Sequence, residues 1–152
     1  MIKTYGYTDN TQLSPHFNAQ EFRCKCGKAH DFQIDDDLIT KLEALFSKLN
    51  CSKIIVTSGF RCSAHDKAVK GSGTGQHTRG KAADICCYGQ DGQPISSKTV
   101  CCKAQDTGFT GIANITAAYI YTHVDVRSGR KWYGDEVHGN SSVTDDFYKY
   151  FG

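Results

Sequence analysis

A histidine and an aspartate stand seven positions apart in the stretch Gly75 to Ile85, GQHTRGKAADI, with a glycine and two alanines between them. Glycine and alanine bring a backbone close to a neighbour without adding bulk, and the side chains of His77 and Asp84 bind a hard or borderline metal through nitrogen and oxygen. One further ligand would make a catalytic zinc site. The stretch YIYTHVDVR offers candidates, because the two-residue period of a strand puts His123, Asp125 and Arg127 on one face and Thr122, Val124 and Val126 on the other. Three such polar groups aimed the same way from a half-buried strand are costly unless they serve one another or a metal. A self-satisfied His–Asp–Arg surface network is the plain alternative.

These side chains need elements to carry them. Ile34, Leu38, Leu42, Leu45 and Leu49 recur every three or four residues and predict one face of a helix, with Asp35, Asp36 and Asp37 at its start where carboxylates complement the helix dipole. KIIVTSGF reads as a buried strand running into a loop at Ser58-Gly59. CSAHDKAVKG has a helical pattern stopping at Gly71, and Gly71 to Gly75 form a flexible approach to His77. KAADICCY predicts a strand, and SSKTVCCKAQDTG a helix capped by serine and stopped at Gly108. From Thr110 to Gly134 alternating aromatic and β-branched residues predict two or three antiparallel strands with a turn at Ser128-Gly129. The expected architecture is α+β in a single domain spanning residues 1–152, helices packed on an antiparallel sheet.

Bulk properties bound the function. At 152 residues the chain is long enough to bury a core without staples. Its 18 Lys+Arg against 16 Asp+Glu, with no basic block, argue against a nucleic-acid surface. MIKTYGYTDN lacks the apolar centre of a signal peptide, and no run approaches the roughly 18 apolar residues of a membrane span. The expectation is a monomer without membrane insertion and without Sec export.

TSGFRCSAHDKAV, then GQHTRGKAADI, then THVDVRSGRKW resemble, in order, spacing and residue type, the zinc D-Ala-D-Ala carboxypeptidase family. That family includes phage endolysins that cut L-Ala-D-Glu bonds, and it shares the fold of the hedgehog signalling domain. LSPHFNAQEFRCKCG near the start is similar to the opening of its shorter members, so the resemblance covers residues 13 to 133. It implies that His77, Asp84 and His123 bind one catalytic zinc ion and leave a fourth position to water. It also implies that Arg61 lies beside the zinc, where a guanidinium binds an oxyanion or a substrate carboxylate. Two positions depart from the family pattern. Ile120 stands where many members carry a catalytic Glu or Asp, which leaves Asp125 as the candidate general base, as an orienting partner of His123, or as a ligand in place of His123. Gly75 stands where a substrate-contacting serine is usual, and Gln76 or Ser58 is the candidate replacement.

Eight cysteines without an export signal are expected to be mostly reduced thiols. Cys24, Cys26 and His30 would form half of a second zinc site if Cys51 or Cys62 completed it, although the spacing is not that of a standard ribbon. In the adjacent pairs Cys86-Cys87 and Cys101-Cys102 at most one member of each would bridge, and buried thiols are the plain alternative. His16, His65 and His138 have no partner in sequence and are read as structural. The functional expectation is a zinc metallopeptidase acting on D-amino-acid-containing stem peptides of bacterial peptidoglycan, of carboxypeptidase or endolysin type. The alternative, which Ile120 keeps open, is a non-catalytic hedgehog-like zinc domain that binds or stabilises.

Overall fold

The computed structural model describes residues 1–69, 75–138 and 140–152. Its main sheet has six strands. In chain order they are β5 (Lys53–Ser58), β6 (Ala82–Tyr88), β7 (Gly111–Asn114), β8 (Thr122–Asp125), β9 (Trp132–Asp135) and β10 (Asn140–Thr144). Across the sheet the order is β10-β9-β7-β8-β6-β5, antiparallel except for β7 and β9, which run parallel. Two small antiparallel pairs precede it: β1 (Ile2–Tyr5) with β4 (Phe32–Asp35), and β2 (Gln12–Ser14) with β3 (Phe17–Asn18). Four helices complete the α+β architecture: α1 (Asp36–Lys48), α2 (Ser63–Ala68), α3 (Ser97–Thr107) and α4 (Phe147–Phe151).

The expected elements form among the described residues, with two differences. Ile34 belongs to β4, because Asp35 takes the cap position of α1 and accepts the N–H of Asp37. The turn at Ser128-Gly129 does not close a hairpin, since β8 lies between β6 and β7 while β9 joins the far side of β7. That crossing is what makes β7 and β9 parallel. The expected helix stop at Gly71 and the glycine-rich approach from Gly71 to Thr74 lie outside the described residues.

Strand alternation divides the chemistry from the core. Ala83, Ile85 and Cys87 of β6 and Val124 of β8 pack with Leu38, Leu42 and Leu45 of α1 and Val100, Cys101 and Ala104 of α3. The opposite face of the same strands carries Asp84, His123 and Asp125. At the helix side Ser97 of α3 bonds Thr122 of β8 at 2.8 Å, so the strand end is held from both faces. All eight cysteines are free thiols. No helix among the described residues is long and apolar enough to cross a membrane.

One buried pair ties the first helix to the site. Asp35 caps α1 and accepts Lys81 Nζ at 3.0 Å, while its own N–H donates to the Gly80 carbonyl at 2.8 Å. Both bonds fall in the turn between His77 and β6. Asp35→Ala should remove the cap and strand a half-buried lysine, destabilising the fold by roughly 3 kcal/mol. Urea denaturation of the two proteins measures it, and a difference within experimental error would show that the turn stands without α1.

Candidate metal centre and cleft

Asp84 and His123 face each other directly in the register of β6 and β8. Side chains so placed on one sheet face begin about 5 Å apart at Cβ and converge. His77 arrives from a different quarter, a 3₁₀ turn (Gln76–Arg79) that ends at Gly80 in the left-handed conformation and feeds directly into β6. The result is three donor atoms within 4.8 Å of one another. Asp84 Oδ1 lies 3.2 Å from His77 Nε2 and 3.0 Å from His123 Nδ1.

The remaining ring nitrogens define the tautomers. His77 Nδ1 donates to the Gly59 carbonyl at 2.7 Å, and His123 Nε2 donates to Asp125 Oδ2 at 2.7 Å. Each ring therefore turns its other nitrogen toward Asp84, where it can offer a lone pair to a metal; without one, His123 Nδ1 donates its proton to that carboxylate. Ligands around a tetrahedral zinc with bonds of about 2.05 Å lie about 3.3 Å apart, so this donor set fits one such ion.

Asp125 is fully buried, with both oxygens engaged: Arg127 Nε donates to Oδ1 at 2.8 Å, and Arg127 and His123 both reach Oδ2. Room for it comes from its neighbours across the sheet, Ala82 and Gly111. A methyl group at Gly111 would overlap the Asp125 carboxylate. Of the small residues between His77 and Asp84, Ala82 thus serves close packing of charged groups, while Ala83 packs in the core and Gly80 makes the turn. Asp125 does not line the cleft, whereas His123 does.

Arg61 is fixed by donating to three acceptors. Nε bonds Ser58 Oγ at 2.9 Å, while the two terminal nitrogens bond Asp66 Oδ1 and Asp84 Oδ2, each at 3.0 Å. Ser58 thus anchors the guanidinium, and Asp84 turns one oxygen to the rings and the other to Arg61. Of the five guanidinium N–H groups, two remain uncommitted to any described residue. Gln76 lines the same cleft with a buried Oε1 that has no hydrogen-bond partner among the described residues.

The cleft above the three donors has a volume of about 400 Å³. Two acids that sequence reasoning passed over belong to it: Asp66, which holds Arg61, and exposed Glu136, just beyond β9. Nothing in the sequence singles out Asp66, because Arg61 precedes α2 and five positions is not a helical neighbour spacing. Glu136 had no signal either, because its approach depends on β9 crossing to the far side of β7.

Burial would raise the Asp84 carboxyl, but hydrogen bonds from His123 and His77 outweigh it and hold the group well below the ordinary carboxylate range. Burial likewise opposes charge on His123, yet its bonds to Asp125 and Asp84 prevail and push its pKa up to about 9. A zinc ion must displace that proton. Between about pH 9 and pH 7 the apparent zinc Kd should therefore rise about tenfold for each unit of pH lost, with one proton released per ion. Chelator competition across that range checks it, and a flat profile would show that His123 carries no proton there for a metal to displace. In the same titration Gly111→Ala should weaken zinc binding about 10–100-fold by displacing Asp125 from His123.

No curated protein sequence matches the chain. A family profile described as Peptidase M15 matches residues 15–125, which contain all three donors, Arg61 and Asp125. The match spans well over half of the 152 residues, and the chain belongs to the peptidase M15 family of zinc metallopeptidases.

Proposed function

We propose that this chain hydrolyses peptide bonds in the stem peptides of bacterial peptidoglycan, with His77, Asp84 and His123 as the zinc ligands. The observation that carries the reading is the convergence of two imidazole nitrogens and one carboxylate oxygen at an open cleft, with no fourth side chain closing the set among the described residues. A structural zinc is ordinarily closed by four protein ligands, and a catalytic one keeps a position for water or substrate. When bound there, zinc supplies a Lewis acid that polarises an amide carbonyl and brings the pKa of water to about 7.

The residues around it divide the remaining work. Arg61 is held rigidly and keeps two N–H groups for a substrate carboxylate or for the oxygen that gains charge as the scissile carbonyl is attacked. Gln76 Oε1 accepts a peptide N–H, which would satisfy an otherwise unpaired buried oxygen. Asp125, buried behind His123, orients that ring and keeps its Nδ1 lone pair toward the metal. Glu136 is the exposed carboxylate of the cleft and fills the role left open by Ile120. It accepts a proton from the attacking water and returns it to the departing amide nitrogen.

Digestion of purified peptidoglycan should release new amino and carboxyl termini without new reducing sugar ends. Free D-alanine would mark a carboxypeptidase, and internal cuts in the stem an endolysin. Bound zinc without turnover on either substrate form would favour the non-catalytic zinc domain instead. Glu136→Gln should keep zinc and lose roughly 10²–10⁴ in rate, whereas Asp125→Asn should weaken zinc about 10–100-fold. Unchanged turnover in Glu136→Gln would return the base to another group.

A further inference from the structure

A second cluster of donors lies outside the cleft. Cys24, Cys26, His30 and Cys62 bring three sulfurs and one imidazole nitrogen within 4.8 Å of one another, although Cys62 is 38 residues from Cys24 in the chain. Cys51 does not join them and instead hydrogen-bonds Cys87. We propose that these four residues hold a second zinc ion, one with a structural role, on the arm that carries Arg61.

The donor set is closed. Three thiolates and one imidazole are a standard tetrahedral zinc complement, with no position left for substrate. At zinc–sulfur bonds of about 2.3 Å, tetrahedral sulfurs lie about 3.8 Å apart, so an ion enters this cluster with shifts well under the size of an atom. The closest donors, Cys26 Sγ and His30 Nε2, are 3.0 Å apart.

The surroundings are built for thiolates as well. Each sulfur receives a backbone N–H: Cys24 from Cys62 at 3.3 Å, Cys26 from Lys28 at 3.4 Å and Cys62 from His65 at 3.4 Å. His30 Nδ1 donates to the Asp31 carbonyl at 2.7 Å, which leaves the Nε2 lone pair facing the sulfurs. This is the outer-partner pattern seen around His77 and His123. A nucleophilic Cys26–His30 pair would need neither of the other two sulfurs, and a disulfide would use two and leave the third with no use for the imidazole.

The consequence reaches the cleft. Cys62 follows Arg61 directly, and the Arg61 N–H donates to the His77 carbonyl at 3.2 Å. An ion on Cys62 would pin the far end of the Arg61 arm to residues 24–30. The site therefore positions Arg61 and touches no substrate.

X-ray absorption at the zinc edge of the protein as purified under reducing conditions tests this without any substitution. Two zinc ions per chain are expected, with about 1.5 sulfurs per zinc at about 2.3 Å. A sulfur shell supports the proposal whatever the occupancy of the His77–Asp84–His123 site, so failure of the peptidase reading leaves a distinct signature. Zinc with nitrogen and oxygen neighbours alone overturns it, as does a disulfide between any two of the three cysteines. In His123→Ala, which spares the cluster, cobalt should still give thiolate-to-metal charge-transfer absorption. Further replacing Cys26 by serine should lower that absorption by at least about a third, one thiolate of three, and absorption unchanged by the added Cys26→Ser would remove Cys26 from the ligands and overturn the four-residue site.

Discussion

The site depends on one buried carboxylate. Asp84 is 9% exposed, yet it meets two imidazoles through one oxygen and a guanidinium through the other. A carboxylate in that position is tolerated only where partners replace its lost hydration. Each partner is therefore fixed in turn: Arg61 by Ser58 and Asp66, His77 by the Gly59 carbonyl, His123 by Asp125, and Asp125 by Arg127. Asp66, Asp84 and Asp125 bring three negative charges against the two positive charges of Arg61 and Arg127. Protonated His123 lies against two of these carboxylates, and a metal cation between the rings takes the place of its proton.

Such a network demands short distances, and the sheet provides them by omitting side chains. Gly111 and Ala82 flank Asp125 on the neighbouring strands, and Gly59 lets the chain approach the backbone of Phe22 to within what a Cβ would need. The helices supply rigidity rather than chemistry. Their apolar faces cover one side of β6 and β8, so the alternation of the strands leaves the charged residues nowhere but the cleft side. A one-residue slip in the pairing of β6 with β8 would separate Asp84 from His123 and drive Asp84 into the core.

Much of this was legible in the sequence because it is local. The helical period from Leu38 to Leu49, the strands around Asp84 and His123, and the caps at Ser96 and Gly108 all follow from spacing and residue type. The grouping of His77, Asp84 and His123 was legible for a different reason, the order of motifs in a resembling family. What stayed hidden is non-local. That β9 crosses to the far side of β7 depends on sheet order, and with it goes the arrival of Glu136 at the cleft. Sequence offers Ser58 as a replacement substrate contact, and nothing in it shows the guanidinium that folds back upon that hydroxyl. Likewise Cys51 and Cys62 were equivalent partners for Cys24 until β5 placed Cys51 at its start, against Cys87, and Cys62 at its far end.

That placement at the two ends of β5 explains why the Arg61 arm needs support of its own. β5 pairs with β6 through Ser58, and the chain then leaves the sheet, so residues 59–62 have no strand neighbour to hold them. Phe60 donates to the Phe22 carbonyl at 2.8 Å and Arg61 to the His77 carbonyl at 3.2 Å, two bonds to segments that are themselves loops or short turns. A guanidinium that must meet an oxygen developing charge during a reaction tolerates displacement of only a few tenths of an ångström. Hydrogen bonds between loops do not give that stiffness, because each worth about 1 kcal/mol can open locally. The side chains of Ser58, Asp66 and Asp84 brace Arg61 from the sheet and from α2, and the sulfur cluster braces the backbone on its other side. Precision at the cleft therefore comes from converging restraints on a short loop, each drawn from a different part of the chain.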